Sequence, residues 1–192
     1  MFDRSWDVLA IAGPSGVGKS RLSYSLARHY DLPIVEVDDL FHAVEALTTP
    51  DQQPLIHFWR THPESADFPA TKVLELFLEV SRAISPAVRS VIDNHIETQM
   101  PVVLDGDYIL PELIAEYSDR VKSIFLYEEN HHQIVDNYLQ REPMAGDQHK
   151  RAEVSLLFGD WLRDECKRLG FLAMPARPWE TVVERAVAAV AK

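Results

Sequence analysis

Eight residues near the start of the chain constrain its fold more than any other segment. Residues 13–20 read Gly-Pro-Ser-Gly-Val-Gly-Lys-Ser and match the pattern G-x-x-x-x-G-K-[ST] in full. An apolar run at residues 7–12 precedes them, and residues 19–30 have the spacing of a helix. Glycines let the backbone curl so that successive N–H groups point at phosphate oxygens, and a following helix adds its positive end. The octet therefore predicts a phosphate-binding loop between a buried strand and a helix.

The loop residues have distinct expected roles in binding a nucleotide. We expect Lys19 to reach the β- and γ-phosphates and to act in catalysis, and the Ser20 hydroxyl to ligate Mg²⁺. The nucleotide-binding segment is predicted to comprise Gly13, Pro14, Ser15, Gly16, Val17, Gly18, Lys19 and Ser20. The alternative is a glycine turn that precedes a lysine by chance. The strand before the octet and the helix after it weigh against that alternative.

Short apolar runs alternate with segments of helical spacing along the whole chain. Strands are predicted at residues 7–12, 34–37, 102–105, 121–127 and 171–174. Helices are predicted at residues 19–30, 40–47, 55–60, 71–98, 131–140, 153–169 and 179–191, with a break or a restart at Pro86. This alternation indicates an α/β fold, with a five-stranded parallel sheet between two helical layers. A length of 192 residues suits a single domain, residues 1–192.

Composition excludes several classes of function. The formal net charge of -11 argues against a nucleic-acid partner, since phosphate neutralisation needs a basic surface. No apolar run approaches the length of a membrane span, and the N-terminus lacks the order of a signal peptide. Cys166 is the single cysteine, so no internal disulfide can form, and we expect it to be an inert packing residue. A cytoplasmic protein fits these features.

The third predicted strand ends in an acid. Residues 102–104 are apolar and lead into Asp105 and Gly106, which is similar to a Walker B strand. At the carboxyl end of a strand beside the phosphate loop, Asp105 would hold Mg²⁺ directly or through water. An aspartate that merely starts a turn is the alternative, and Asp107 is the fallback ligand.

Three segments together resemble the P-loop small-molecule kinases. Beside the octet, residues 37–41 (Val-Asp-Asp-Leu-Phe) resemble a segment of uridine kinases and phosphoribulokinases. Residues 104–111 (Leu-Asp-Gly-Asp-Tyr-Ile-Leu-Pro) are similar to a segment of kinases of the 2-phosphoglycerate kinase type. The resemblance implies a nucleotide-kinase-like fold with a helical acceptor cap at about residues 40–98 and a lid at about residues 141–151. It also implies ATP, Mg²⁺ and transfer of the γ-phosphate to a hydroxyl of a small-molecule acceptor.

The acceptor side of the site has four candidate residues. By the resemblance, Asp38 orients and deprotonates the acceptor hydroxyl. Asp39 also belongs to this segment, and it is expected to cap a helix that begins at residue 40. His57 and Arg60 are expected to line the acceptor pocket, where Arg60 would anchor an anionic acceptor, although His57 could instead cap a helix. The spacing of the histidines matches no metal-binding motif.

Two further arginines are assigned through the resemblance. Arg141 begins a Pro- and Gly-containing segment in the position of the lid, and it is the preferred cation for the transfer step, with Lys150 or Arg151 next. The alternative is a solvated loop whose basic ends complement helix termini. Arg177 follows the fifth strand, where the family's adenine lies, and it could stack on the base, whereas Trp179 could simply be core.

Two other kinds of function stay open at this stage. The protein could be a nucleotide-dependent regulatory NTPase, or a nucleotide-binding module without catalysis. The base-reading motif Asn/Thr-Lys-x-Asp of GTP-specific switches is absent from the sequence. The presence of Lys19, Ser20 and Asp105 together favours catalysis over binding alone.

Overall fold

Five parallel strands form the sheet around which the chain is built. The computed structural model describes residues 5–117 and 119–191. The strand order is β2-β3-β1-β4-β5, and every neighbouring pair is parallel. The strands are β1 Val8–Ala12, β2 Ile34–Glu36, β3 Val102–Gly106, β4 Val121–Tyr127 and β5 Ala173–Pro175. The prediction of an α/β fold with a five-stranded parallel sheet is confirmed.

Helices cover both faces of the sheet. They are α1 Lys19–Tyr30, α2 Val37–Leu47, α3 Phe58–Thr61, α4 Ala70–Thr98, α5 Pro111–Ile114, α6 His131–Arg141, α7 His149–Leu169 and α8 Val182–Val190. Side chains of a strand alternate between its two faces. Accordingly, Val8 and Ala10 join a buried cluster with α4 and α7, whereas Leu9 and Ile11 join one with α1 and α8. The three predicted layers follow from this alternation.

The long helix α4 contradicts one expectation. It passes through Pro86 without ending, although a break or a restart was predicted there. Proline removes one backbone hydrogen bond from a helix interior. Val80 and Ile84, before Pro86, are buried in the cluster with Phe41, and Val88 and Ile92, after it, are buried against the sheet, so packing holds both halves. Tertiary packing therefore outweighs the local cost of the proline.

The start of α2 is also earlier than predicted. The helix begins at Val37 rather than residue 40, and its N-cap is Glu36, so the expectation that Asp39 caps it is wrong. Val37 is fully buried, and a Cβ placed on Gly106 would lie 2.6 Å from the Val37 Cβ. The helix therefore starts where Val37 can pack onto the bare backbone at the end of β3. Asp38 and Asp39 consequently lie in the first helical turn.

Other element boundaries shift by a few residues. α7 begins at His149 rather than residue 153, and a 3-10 helix at Pro143–Ala145 interrupts the predicted loop. β5 begins at Ala173 rather than residue 171. The reason is that α7 ends in a left-handed cap at Gly170, and the N–H group of Phe171 still donates to the helix, at the carbonyl oxygen of Cys166. The short helix α5 was not predicted. Two further 3-10 helices span Pro63–Asp67 and Trp179–Thr181.

A separate buried cluster stands beside the sheet near the ends of β2 and β3. Phe41 of α2, Ile56, and Val80 and Ile84 of α4 form it, and Tyr108 packs against it. In this cluster, residues of the segments 37–47, 55–59 and 80–87 pack together and form one continuous wall beside the sheet. No helix within the described residues is both long and apolar enough to span a membrane.

Candidate active site

The phosphate loop is built on backbone conformations that favour glycine. Gly13, Gly16 and Gly18 have φ angles of 142°, 80° and 96°. Space is as restrictive as conformation, because a Cβ at Gly13 would lie 2.1 Å from the carbonyl oxygen of Leu126. A Cβ at Gly18 would lie 2.2 Å from the ring of Trp179. These contacts hold the loop against β4 and the C-terminal segment, so its backbone shape is fixed by glycine at both positions.

Lys19 opens α1 and is almost completely buried. Its ammonium group donates to the carbonyl oxygen of Pro14 at 2.9 Å and forms an ion pair with Asp107. Burial alone would lower the pKa of Lys19, but the negative charges of Asp107 and Asp105 outweigh it and hold the pKa above its ordinary value. Lys19 therefore stays cationic, as phosphate binding requires.

Asp105 lies at the end of β3, next to Ile11 of β1 in the sheet register. It is 4% exposed, and within the described residues its Oδ1 atom has no hydrogen-bond partner. Burial raises the pKa of Asp105, while the charge of Lys19 and the nearby hydroxyls of Ser20 and Ser23 act in the opposite direction. A buried, unpartnered carboxylate oxygen beside a serine hydroxyl supplies two oxygen donors, the type that Mg²⁺ prefers. These residues fit the metal that nucleotide chemistry implies.

Asp38 faces the same charged region from the first turn of α2. Desolvation raises the pKa of Asp38, the carboxylates of Asp107 and Asp105 raise it further, and Lys19 lowers it. The side chain nevertheless keeps contact with solvent. A carboxylate with a raised pKa that faces a solvent-accessible cavity can accept a proton from a bound hydroxyl.

A cavity of about 620 Å³ connects the phosphate loop with the wall formed by α2 and α3. Its lining residues are Ser15, Lys19, Ser20, Asp38, Phe41, His42, Glu45, Ile56, Trp59, Arg60, Asp107, Tyr108, Arg141 and Arg151. We call it the acceptor cavity. Tyr108 stacks on Phe41 with ring centroids 4.8 Å apart, and burial followed by the charge of Asp38 raises its pKa far above the ordinary value. The Tyr108 hydroxyl therefore remains protonated and can donate a hydrogen bond.

Two arginines enter this cavity from the segment between α6 and α7. Arg141 is the last residue of α6, and Arg151 lies in the first turn of α7. Both guanidinium groups lie over the ring of Tyr138, at 5.3 Å and 4.3 Å, and both donate to Glu142. The hydrogen bond from Arg141, assisted by the charge of Arg151, lowers the pKa of Glu142. One carboxylate thus holds two cations side by side.

The same segment also reaches the opposite wall. Lys150 donates a hydrogen bond to the carbonyl oxygen of Ala66, in the 3-10 helix Pro63–Asp67. A cavity of about 510 Å³ lies beside this contact, and it shares Trp59 and Arg151 with the acceptor cavity.

A smaller cavity, of about 240 Å³, also lies against the loop. Its lining residues are Gly16, Gly18, Lys19, Ser20, Arg21, Asn137, Gln140, Arg141 and Trp179. The Asn137 amide donates to the carbonyl oxygen of Gly16 at 2.7 Å and so fixes the loop to α6. The guanidinium group of Arg21 lies 5.0 Å from the centre of the Trp179 ring. This cavity offers an aromatic and cationic wall next to the phosphate loop.

Comparison with known proteins agrees with this geometry. A gluconokinase from Sinorhizobium meliloti superposes with a TM-score of 0.59 and 18% identity, covering 98% of this chain and 93% of that one. A shikimate kinase from Bacteroides thetaiotaomicron gives a TM-score of 0.53 and 14% identity, covering 96% and 98%. The chain has the fold of the P-loop small-molecule kinases.

In sequence, the chain is 25% identical to a curated 2-phosphoglycerate kinase from Methanococcus vannielii. The match covers 62% of this chain and 41% of that protein, so the chain spans less than half the length of its curated relative. No known family model matches the chain. The predicted resemblance to P-loop small-molecule kinases is confirmed.

Within this kinase fold, several of the predicted site residues come together. Lys19, Ser20, Asp38, Arg60 and Arg141 line the acceptor cavity, although they are spread over four separate helices. These five side chains therefore form one site, and the role of each can be tested by substitution.

Other predicted residues do not line the acceptor cavity. Asp39 is exposed beside Asp38 and is not among the residues that line the acceptor cavity. Arg177 forms an ion pair with Glu128 at 3.3 Å, whereas Trp179 lines the smaller cavity. His57 is fully buried behind Arg60 instead of lining the cavity.

Sequence reasoning left several lining residues without a role. Tyr108 lies inside the segment of residues 104–111, so attention to its aromatic ring could have found it. Arg151 was ranked below Arg141, yet both line the cavity. Trp59 and Glu45 lie in segments without a recognisable motif, and only the packing of α2 against α3 brings them to the site.

Proposed function

We propose that this protein is an ATP-dependent kinase that transfers the γ-phosphate to a hydroxyl group of a small anionic acceptor. One observation carries the proposal. A single cavity is lined by Lys19 and Ser20 of the phosphate loop and also by Asp38 and Arg60 of the opposite wall. Phosphoryl transfer needs a phosphate site and an acceptor site within the same enclosure.

The loop binds the triphosphate through its backbone N–H groups, and Lys19 stabilises the negative charge of the phosphoryl group in transfer. The acceptor oxygen forms a bond to the γ-phosphorus while the bond from phosphorus to the β-phosphate oxygen breaks, and ADP leaves. Asp38 orients the acceptor hydroxyl and takes its proton. Its raised pKa favours acceptance of that proton.

Ser20 and Asp105 are the residues that would hold Mg²⁺. When bound, the ion neutralises charge on the β- and γ-phosphate oxygens. Asp105 suits this role because one of its buried oxygens has no partner within the described residues.

The acceptor is proposed to be a small hydroxy acid. Arg60 supplies a guanidinium group at the far wall of the cavity, and guanidinium groups bind carboxylates and phosphates with two parallel hydrogen bonds. The names of the relatives, 2-phosphoglycerate kinase, gluconokinase and shikimate kinase, point to acids of this kind. Residues of about 40–98 would form the acceptor cap and about 141–151 the lid, which delivers Arg141 and Arg151.

ADP release in a coupled assay tests the proposal. The wild-type protein is incubated with ATP, MgCl₂ and, in turn, 2-phosphoglycerate, gluconate, shikimate, other sugar acids, nucleosides and aminoglycosides. We expect ADP release that depends on one class of hydroxy acid, with a phosphorylated product visible in phosphorus NMR spectra. Lys19→Ala serves as the inactive control.

Other results would point to other functions. ATP hydrolysis at the same rate with and without every acceptor would favour a regulatory NTPase. Tight ATP binding without any ADP release would favour a nucleotide-binding module. Either result would overturn the kinase proposal.

A further inference from the structure

A buried histidine holds an exposed cation at the edge of the acceptor cavity. His57 is fully buried, whereas the Arg60 side chain is 62% exposed and lines the cavity. The Nη2 atom of Arg60 lies 2.6 Å from the Nδ1 atom of His57. On the other side of the ring, Nε2 lies 3.1 Å from the Thr48 hydroxyl, which lies 2.8 Å from the carbonyl oxygen of Val44.

The chemistry of these groups allows a single arrangement of protons. A guanidinium group can only donate, so the Nδ1 atom of His57 accepts from Arg60. The Thr48 hydroxyl has one hydrogen, which it donates to the carbonyl oxygen of Val44. Its oxygen then accepts from the Nε2–H group of His57. His57 is therefore neutral, with its proton on Nε2, and both ring nitrogens and the Thr48 hydroxyl have a partner.

Arg60 has a second, weaker partner. The carboxylate of Glu45 lies 3.6 Å from the Nε atom of Arg60, too far for a hydrogen bond but near enough to attract the charge. A long arginine side chain has several rotamers of similar energy, so one fixed contact decides where its guanidinium group points. His57 supplies that contact from a fully buried position at the start of α3.

We propose that His57, oriented by Thr48, is a positioning residue that aims Arg60 at the anionic group of the acceptor. The inference rests on the proposed function, and it assigns to His57 a role without substrate contact. His57 sets specificity because it fixes the place at which the acceptor must carry its negative charge.

Two near-isosteric variants separate positioning from packing. His57→Asn places an oxygen near the position of Nδ1, so it can keep the contact with Arg60 and lose the one with Thr48. His57→Gln places its amide near the position of Nε2, so it can keep the contact with Thr48 and lose the one with Arg60. Asparagine is smaller than glutamine, so a role in packing alone predicts that His57→Asn is at least as damaging as His57→Gln. Positioning predicts that His57→Gln is the more damaging.

Binding of 2-phosphoglycerate, gluconate and shikimate is measured by calorimetry, and the Arg60 Nε–H signal is followed by NMR. We expect one of these acids to shift the Arg60 signal. For that acid, His57→Gln and Arg60→Ala should each weaken binding about tenfold, the scale of one charge-assisted hydrogen bond, and His57→Asn should weaken it less. The two substitutions remove the same interaction, that between Arg60 and the acid. The double variant of His57→Gln and Arg60→Ala should therefore bind no more weakly than Arg60→Ala alone.

Several results would overturn the inference. These are a wild-type protein in which no acid shifts the Arg60 signal, a loss in His57→Asn at least as large as that in His57→Gln, and additive loss in the double variant. The ¹⁵N signals of wild-type His57 give a check that needs no buried substitution, since they must show the neutral ring with its proton on Nε2. If the acids bind as expected but no phosphate is transferred, the kinase proposal fails and the positioning role stands.

Discussion

Asp38→Asn, compared with Asp39→Asn, is the sharpest test of the proposed chemistry. The two aspartates are adjacent in the first turn of α2, so both substitutions remove one negative charge from the same helix end. Only Asp38 lines the acceptor cavity. Asp39→Asn is therefore a matched control for the electrostatic and helical effects of Asp38→Asn.

The expected magnitudes follow from these positions. Loss of a charge near a helix N-terminus costs about 0.3–1 kcal/mol, which corresponds to a fall in Tm of no more than about 4 °C in a chain of this size. The raised pKa of Asp38 shows that its ionised form is disfavoured in the folded protein. Because the neighbouring carboxylates of Asp107 and Asp105 already disfavour this charge, Asp38→Asn should change Tm by no more than the same amount. Removal of a general base lowers kcat about a hundredfold or more.

The pH dependence gives a second signature. Because the folded-state pKa of Asp38 is raised, the base is protonated at pH values where an ordinary aspartate is already ionised. The rate of the wild-type protein should rise as the pH increases through that raised pKa. Asp38→Asn should remove this rise, and Asp39→Asn should keep it.

The coupled ADP-release assay, with the acceptor that supports turnover, measures these effects alongside thermal melts of each variant. Asp38→Asn should be folded and nearly inactive, while Asp39→Asn keeps wild-type turnover. Turnover of Asp38→Asn within a fewfold of the wild-type value would refute the assignment of the base. Equal loss in both variants would refute the argument that cavity position decides the role.

Three other predictions use the same preparation. Lys19→Ala should abolish phosphoryl transfer in single-turnover assays while circular dichroism shows an unchanged fold, and near-wild-type turnover would contradict the role of the loop. Arg141→Ala and Arg151→Ala should each lower kcat more than they weaken ATP binding, and a change confined to ATP affinity would contradict their action in transfer. Cys166 is fully buried and burial raises its pKa to about 12, so a thiol reagent should not label the folded protein, and rapid labelling without denaturant would contradict that burial.

Local patterns predicted much of the fold because the relevant signals lie within short segments. The buried run at β1 and the glycine loop depend on neighbouring residues alone, and both are found as expected. Pro86 was misjudged for the opposite reason. Its effect depends on how strongly the rest of the core holds α4 in place. Local helix propensity carries no information about that packing.

The start of α2 shows the same limit at the site. Asp39 has the residue type and spacing of a helix cap, yet the helix starts where Val37 packs against Gly106, a residue almost seventy positions away. The link between His57 and Arg60 is local in sequence, but its meaning depends on the burial of the histidine and on the cavity beyond the arginine. Residue type and spacing can therefore indicate candidate residues, whereas the role of each depends on its tertiary contacts.

The contacts of Lys19 favour one of the two acidic residues at the end of β3 as the proposed metal ligand. Asp105 and Asp107 both suit a metal by type, and the sequence could only rank them. A lysine ammonium group has three N–H donors. Lys19 directs one to Pro14 and one to Asp107, which leaves one for a phosphate oxygen, so Asp107 serves to orient the lysine. Asp105 retains an oxygen without a partner among the described residues, whereas Asp107 is paired with Lys19. This difference favours Asp105 as the metal ligand.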